Sequence, residues 1–248
     1  MTVNKIKIGI IGGSGLDDPK IFVKPKEKVI KTPYGKPSDK LVTGIIAGKQ
    51  VVILARHGKK HSLPPHLVSY RANIWALKSA GCSHILATTV CGSLREEMKP
   101  GDLVFIDQFI DFTKQRKSTF FEDKVVHTPM AQPFDSKLRR ILIKTAQKLR
   151  LSYHPRGTVV TIEGPRFSSL AESHLFQQIR ADIINMSTVP EVVLANELGI
   201  PYQSIAMVTD YDCWKEEEVS VTYELVIERM KKNADKVKRL LVETIISL

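Results

Sequence analysis

The chain has 248 residues, 43% hydrophobic and 25% charged, a balance that suits one large α/β domain or two small ones. No apolar run approaches the ~20 residues that span a bilayer, and the first residues lack the basic-then-apolar layout of a secretory leader. The net charge of +11 raises the question of nucleic acid, but the basic residues are dispersed over helix faces with no aromatic residues between them to stack bases.

In chain order, a short apolar run at 6–11 leads into Gly12-Gly13-Ser14-Gly15-Leu16-Asp17-Asp18. Backbone N–H groups and the Ser14 hydroxyl in such a turn can hold an anion. The loop is neither a dinucleotide fingerprint, because an aspartate stands where the last glycine of G-x-G-x-x-G belongs, nor a P-loop, because no Gly-Lys-Ser/Thr follows. A small anion, not yet specified, is what remains. Lys24, Lys26, Glu27, Lys28 and Lys31 form a mixed charged stretch that reads as a solvated face.

Further strands are expected at 41–46, 51–55, 84–89, 103–107, 157–162, 182–186 and 203–209. Several are continuous apolar runs, as in sheets covered on both faces. Between them lie helix candidates at 66–80, ended by Gly81; at a helix N-capped by Asp135; and at 171–180, 190–198 and 221–246. Residues 112–134 are polar, aromatic and proline-containing without a period, and read as a long functional loop. Alternating strands and helices imply an α/β fold, one domain over 1–248 with a central mixed, largely parallel β-sheet flanked by helices. Cys82, Cys91 and Cys213 form no CxxC pair and no metal spacing, and read as reduced thiols of a cytoplasmic protein.

Ligands of open α/β sheets bind beyond the carboxyl ends of strands. Four such ends here offer anion chemistry: Ser14, Arg56 with His57, Thr89, and Ser187. A guanidinium, hydroxyls and backbone amides suit a phosphate, and no aspartate cluster or histidine pair suggests a metal. The last strand end carries Asp210 and Asp212, which in an extended segment face the same side. A carboxylate there can accept from a ligand amine, and a buried, protonated one can donate to a ring nitrogen.

The motifs GIIGGSGLDD (9–18), TPYGKPSD (32–39), ARHG (55–58), YRANIWALK (70–78), TTVCGSL (88–94), GDLVFIDQFID (101–111), HTPMAQPF (127–134), TIEGPRFSS (161–169), INMSTVPE (184–191) and MVTDYDCW (207–214) span nearly the whole chain. In these the chain resembles the trimeric purine nucleoside phosphorylases, and more closely their methylthioadenosine phosphorylase branch. The resemblance implies the nucleoside phosphorylase fold and phosphorolysis: inorganic phosphate, a co-substrate rather than a cofactor, displaces adenine from C1′ of 5′-methylthioadenosine with inversion. It implies a phosphate site of Ser14, Arg56, His57, Thr89, Val90 and Ser187, and a nucleoside site of Phe167, Ser168, Met186, Asp210 and Asp212. Asp210, His57 and Ser187 would act in catalysis, without metal. A homotrimer, or a hexamer, would bring His127 across an interface to a neighbour's 5′ pocket, which Val221 helps to line. Aspartate at 210 suits the 6-amino group of adenine, where 6-oxopurine enzymes carry asparagine. Methylthioinosine or a broad range of purine nucleosides are the alternative substrates. Ser14 and Ser187 stand where the family often has threonine, which keeps the hydroxyl. Several relatives continue past the position of Leu248 with a tail over the 5′ pocket, so selectivity for methylthio over 5′-hydroxyl nucleosides is left open.

Overall fold

The computed structural model describes residues 6–12, 22–59, 61–215 and 222–248. Among the described residues, eleven strands join one sheet. They are β1 (Lys7–Gly12), β2 (Val23–Lys28), β3 (Leu41–Ile46), β4 (Lys49–Ala55), β5 (His84–Ser93), β6 (Leu103–Phe105), β7 (Gln108–Phe112), β8 (Tyr153–His154), β9 (Thr158–Ile162), β10 (Ile183–Asn185) and β11 (Tyr202–Asp210). The helices are α1 (Tyr70–Ser79), α2 (Ser136–Lys148), α3 (Leu170–Gln178), α4 (Thr188–Glu197) and α5 (Tyr223–Ser247). The main path runs β2-β3-β4-β1-β5-β10-β9-β7, with β11 against β5 and β6, and β8 against β6. Six strand pairings are parallel and four antiparallel, so the sheet is mixed and largely parallel, as expected.

The two faces of the sheet are buried separately, which explains the continuous apolar runs. Ile74 and Leu77 of α1 pack with Val192 and Leu194 of α4 on one side. Leu138 and Leu142 of α2 pack with Val237, Leu240 and Leu241 of α5 on the other. Asp135 caps α2 by accepting from the Leu138 N–H at 2.7 Å. Ser169 and Glu172 form a reciprocal capping box at the start of α3.

Three expectations need correction. The stretch 66–80 is not one helix: a 3₁₀ turn, Pro65–Leu67, is followed by extended Val68 before α1 begins. The stretch 103–107 stops at Phe105, and a strand not expected from the sequence, β7, covers Gln108–Phe112, up to the first residue of the expected loop. β2 lies at the end of the sheet path with every residue exposed, so its Lys/Glu/Pro composition gives no burial signal, although its solvated face was foreseen. Helix α4 carries extended Val189 near its start, because the residue before a proline avoids the helical region, and regular helix follows Pro190.

Strand β5 positions the site. β11 runs parallel to it from Ile85 to Gly92. β1 pairs with His84–Ala87, and β10 pairs antiparallel with Gly92–Ser93, both on the edge opposite β11. Between those two partners Thr88, Thr89, Val90 and Cys91 border a cavity of about 480 Å³.

Candidate active site

One end of the cavity is built from residues that hydrogen-bond to oxygen. Arg56 follows β4, and its side chain is 2% exposed. Its Nε and Nη2 donate to the two carboxylate oxygens of Glu191 at 2.8 Å each, and Nη1 donates to the Thr88 carbonyl at 2.7 Å. Burial alone would lower the Arg56 pKa, but the Glu191 carboxylate more than offsets it and holds the guanidinium charged. The Thr89 and Ser187 hydroxyls meet at 2.9 Å, joining the middle of β5, which runs past the expected end at Thr89 to Ser93, to the turn after β10. Asn185 supports them from behind, donating to Thr89 Oγ1 at 3.3 Å and to Thr188 Oγ1 at 2.6 Å.

His57 lies beside this group. Its Nδ1 is 2.8 Å from the Leu63 carbonyl oxygen. A carbonyl only accepts, so Nδ1 carries the hydrogen and Nε2 of the neutral ring offers a lone pair. Burial first, and then the Arg56 charge, lower its pKa to about 4 against the weaker opposing effect of the Leu63 bond. The His61 ring stacks on it with centroids 4.5 Å apart.

The other end of the cavity carries the carboxylates. Asp210 closes β11 and is 5% exposed. Burial raises its pKa, while the Thr209 hydroxyl at 2.7 Å and the Asp212 N–H at 2.9 Å pull the other way. Asp212 accepts from Ser168 Oγ at 2.6 and 2.7 Å. The two aspartates do share the cavity, but not by strand alternation: β11 ends at Asp210, and Asp212 has φ +53°, in a left-handed turn. Gly92 leaves room for them. A Cβ there would lie 2.8 Å from Asp210 Oδ1 and 3.1 Å from Ile184 Cγ2.

Phe167, Ser168 and Met186 also line the cavity, as do Val90 and the α5 side chains Val226, Ile227 and Met230. Met186 is fixed by its neighbours. Its carbonyl accepts from Arg116 Nη1 at 2.8 Å, and Gly164, with φ +66°, leaves no room for a Cβ, which would fall 2.6 Å from Met186 Sδ. Arg116 comes from the long loop and has a 2% exposed side chain. It also reaches Glu163 Oε1, the Tyr70 hydroxyl, and the Val189 and Glu163 carbonyls.

Arg56, His57, Thr89, Val90, Phe167, Ser168, Met186, Ser187, Asp210 and Asp212 therefore gather around one cavity. His127 does not line it and is exposed on the long loop. Ser14 and Val221 lie outside the described residues. Glu191, Asn185 and Arg116 escaped the sequence reading. Glu191 had a signal: a lone carboxylate inside the apolar run of α4 needs a buried cation as partner. Arg116 sits in a segment without period and had none. Among the described residues no three His, Cys, Asp or Glu side chains converge as metal ligands.

An oxygen-binding wall and a carboxylate wall thus share one cavity, bordered by residues that follow β4 and β10 and by the end of β11. The chain belongs to the Phosphorylase superfamily, whose profile matches residues 7–247. It is 57% identical over 252 residues to S-methyl-5′-thioadenosine phosphorylase of Danio rerio, covering 99% of this chain and 90% of that protein. The methylthioadenosine phosphorylase of Schistosoma mansoni in complex with adenine superposes with a TM-score of 0.93 at 46% identity, covering 97% of this chain and 91% of that one. A variant of the adenosine/methylthioadenosine phosphorylase of the same organism, in complex with methylthioadenosine, gives 0.92 at 45% identity, with the same coverage.

Proposed function

We infer that the protein catalyses phosphorolysis of S-methyl-5′-thioadenosine, giving adenine and 5-methylthioribose 1-phosphate. The meeting of Arg56, Thr89 and Ser187 with Asp210 and Asp212 around a single cavity carries this reading. Similarity over nearly the whole length to enzymes of that name supports the substrate.

Inorganic phosphate binds at Arg56, His57, Thr89, Ser187 and the backbone near Val90, with Ser14 as a further ligand by family resemblance. A phosphate oxygen attacks C1′ as the bond from C1′ to N9 breaks, with inversion. Positive charge develops on the sugar and negative charge on the purine. The phosphate dianion stabilises the former. Asp210 stabilises the latter at N7 by donating or sharing a proton, a role favoured by the upward shift of its pKa. Asp212, held by Ser168, stands next to Asp210 to meet the purine edge. Phe167 offers a face for the base and Met186 a surface for the sugar. No covalent enzyme intermediate and no metal is required.

The 5′-methylthio group lies toward α5, with Val221 and a neighbouring subunit's His127 completing its pocket in a homotrimer. The free thiols of Cys82, Cys91 and Cys213 suit a reducing compartment such as the cytoplasm; no helix among the described residues is long and apolar enough to cross a membrane.

Base release from methylthioadenosine, methylthioinosine, adenosine and inosine, each with and without phosphate, tests the reading. Phosphate-dependent release, fastest from methylthioadenosine, is expected. Release without phosphate would identify a hydrolase, and preference for methylthioinosine would reassign the base.

A further inference from the structure

Arg56 is not a free cation reaching into the cavity. The Glu191 carboxylate, fully buried, accepts both Nε and Nη2 of Arg56, and its Oε1 also accepts the Tyr202 hydroxyl at 2.7 Å. With Nη1 held by the Thr88 carbonyl, three of the five guanidinium hydrogens are committed to protein. One hydrogen on each terminal nitrogen remains for a ligand. Glu191 and Tyr202 themselves do not line the cavity. They come from α4 and the start of β11, whereas Arg56 follows β4.

This arrangement has two effects on an oxyanion. Glu191 fixes the plane of the guanidinium, so the two remaining hydrogens are held in set directions, and fixed donors cost no reorganisation when charge arrives. Glu191 also neutralises the charge of Arg56, and the Nδ1-protonated ring of His57 adds none. The described part of the oxygen-binding wall therefore recognises its ligand by directed hydrogen bonds rather than net positive charge.

We propose that Glu191, steadied by Tyr202, is a positioning residue that sets the affinity for phosphate by orienting Arg56, without touching either substrate. The proposal rests on Arg56 being a phosphate ligand. Tyr202→Phe removes one hydrogen bond to Glu191 and keeps the ring. Glu191→Gln keeps the shape but sets an amide N–H against a guanidinium N–H.

The experiment measures KM for phosphate and for the nucleoside separately, with Arg56→Lys as reference. Expected are a phosphate KM raised about threefold or more by Tyr202→Phe and about tenfold or more by Glu191→Gln, with the nucleoside KM within twofold of wild type. The double variant Arg56→Lys/Glu191→Gln should have no higher phosphate KM than Arg56→Lys alone, a non-additivity that a general loss of packing would not give. If Glu191→Gln does not fold, Tyr202→Phe decides. An unchanged phosphate KM in Tyr202→Phe, equal rises in both KM values, or a lowered phosphate KM in Glu191→Gln would each overturn the proposal. If Arg56→Lys also leaves the phosphate KM unchanged, it is the phosphate-site reading of Arg56 that fails.

Discussion

Asp210 and His57 show how burial sets the chemistry of single groups. Both lose solvent, and the neutral form gains in each: the aspartate pKa rises and the histidine pKa falls to about 4. Asp210 can then meet a purine as acceptor or donor. Replacing it with asparagine fixes a donor on the amide nitrogen, so Asp210→Asn should shift the ratio of kcat/KM for methylthioadenosine over methylthioinosine toward the 6-oxopurine by about tenfold or more. Loss of both activities without a shift would place Asp210 elsewhere in the reaction. For His57 the sign follows from linkage. Below its ordinary 6.5 the unfolded chain protonates the ring, while the folded chain keeps it neutral down to about 4. Stability therefore falls as pH drops across that window, by on the order of 3 kcal/mol. Melting curves in phosphate-free buffer between pH 7 and 4 should show a shallower decline for His57→Gln than for wild type. His61 is displaced in the same direction and supplies part of the remaining slope.

At the scale of elements, the site is a fork in the sheet. β10 and β11 both meet β5 at Gly92, and the missing side chain there is the space the carboxylates occupy. Gly92→Ala should lower kcat/KM for the nucleoside about tenfold or more while the phosphate KM stays within twofold, because the added methyl meets Asp210 and not Arg56. Equal damage to both substrates would mean that β5 itself had shifted. Much of this frame is legible in the residues. The apolar runs of β1, β4, β5 and β11, the Asp135 cap and the Pro190 start of α4 each have a local cause that survives folding. Asp212 was placed in the right cavity for the wrong reason, since its left-handed turn leaves no period-two signature. β2 and β8 were missed because a solvated edge and a two-residue strand carry almost no apolar pattern. Arg116 was missed because its partners, Glu163 and the carbonyls of Met186 and Val189, are distant in sequence and are brought together only by the packed sheet.

For the whole molecule, the long loop after β7 is anchored at several points, by Arg116, by Glu197 accepting from Thr119 Oγ1 and the Phe120 N–H, and by the buried Phe120 ring, and is exposed over residues 124–127. Arg116 ties its first part under the site, while Lys124, Val125 and His127 are exposed, Val125 at 82%. An exposed histidine beside an exposed valine suits a residue that serves a neighbouring subunit. Subunit mixing tests this. Asp210→Ala chains should be inactive and His127→Ala chains weak on methylthioadenosine. Oligomers reassembled from both should regain activity, because some sites then receive an intact Asp210 from one chain and an intact His127 from the next. Mixtures no better than the average of their parents would confine each site to one chain. Dispersed basic residues are partly spent on ion pairs, as in Arg139 with Asp107 and Lys148 with Glu243, which accords with a solvated face.

The place of β11 in the sheet bears on how the enzyme comes into being. It is the last strand in sequence, yet it lies between β5 and β6 and carries Asp210 at its end. A ribosome that has released only the first two hundred residues has supplied Arg56, His57, Thr89 and Ser187 but left an edge of β5 uncovered. An open, apolar strand edge is then exposed to other chains. Pairing of β11 with β5 closes that edge and brings Asp210 to the cavity in the same long-range contact.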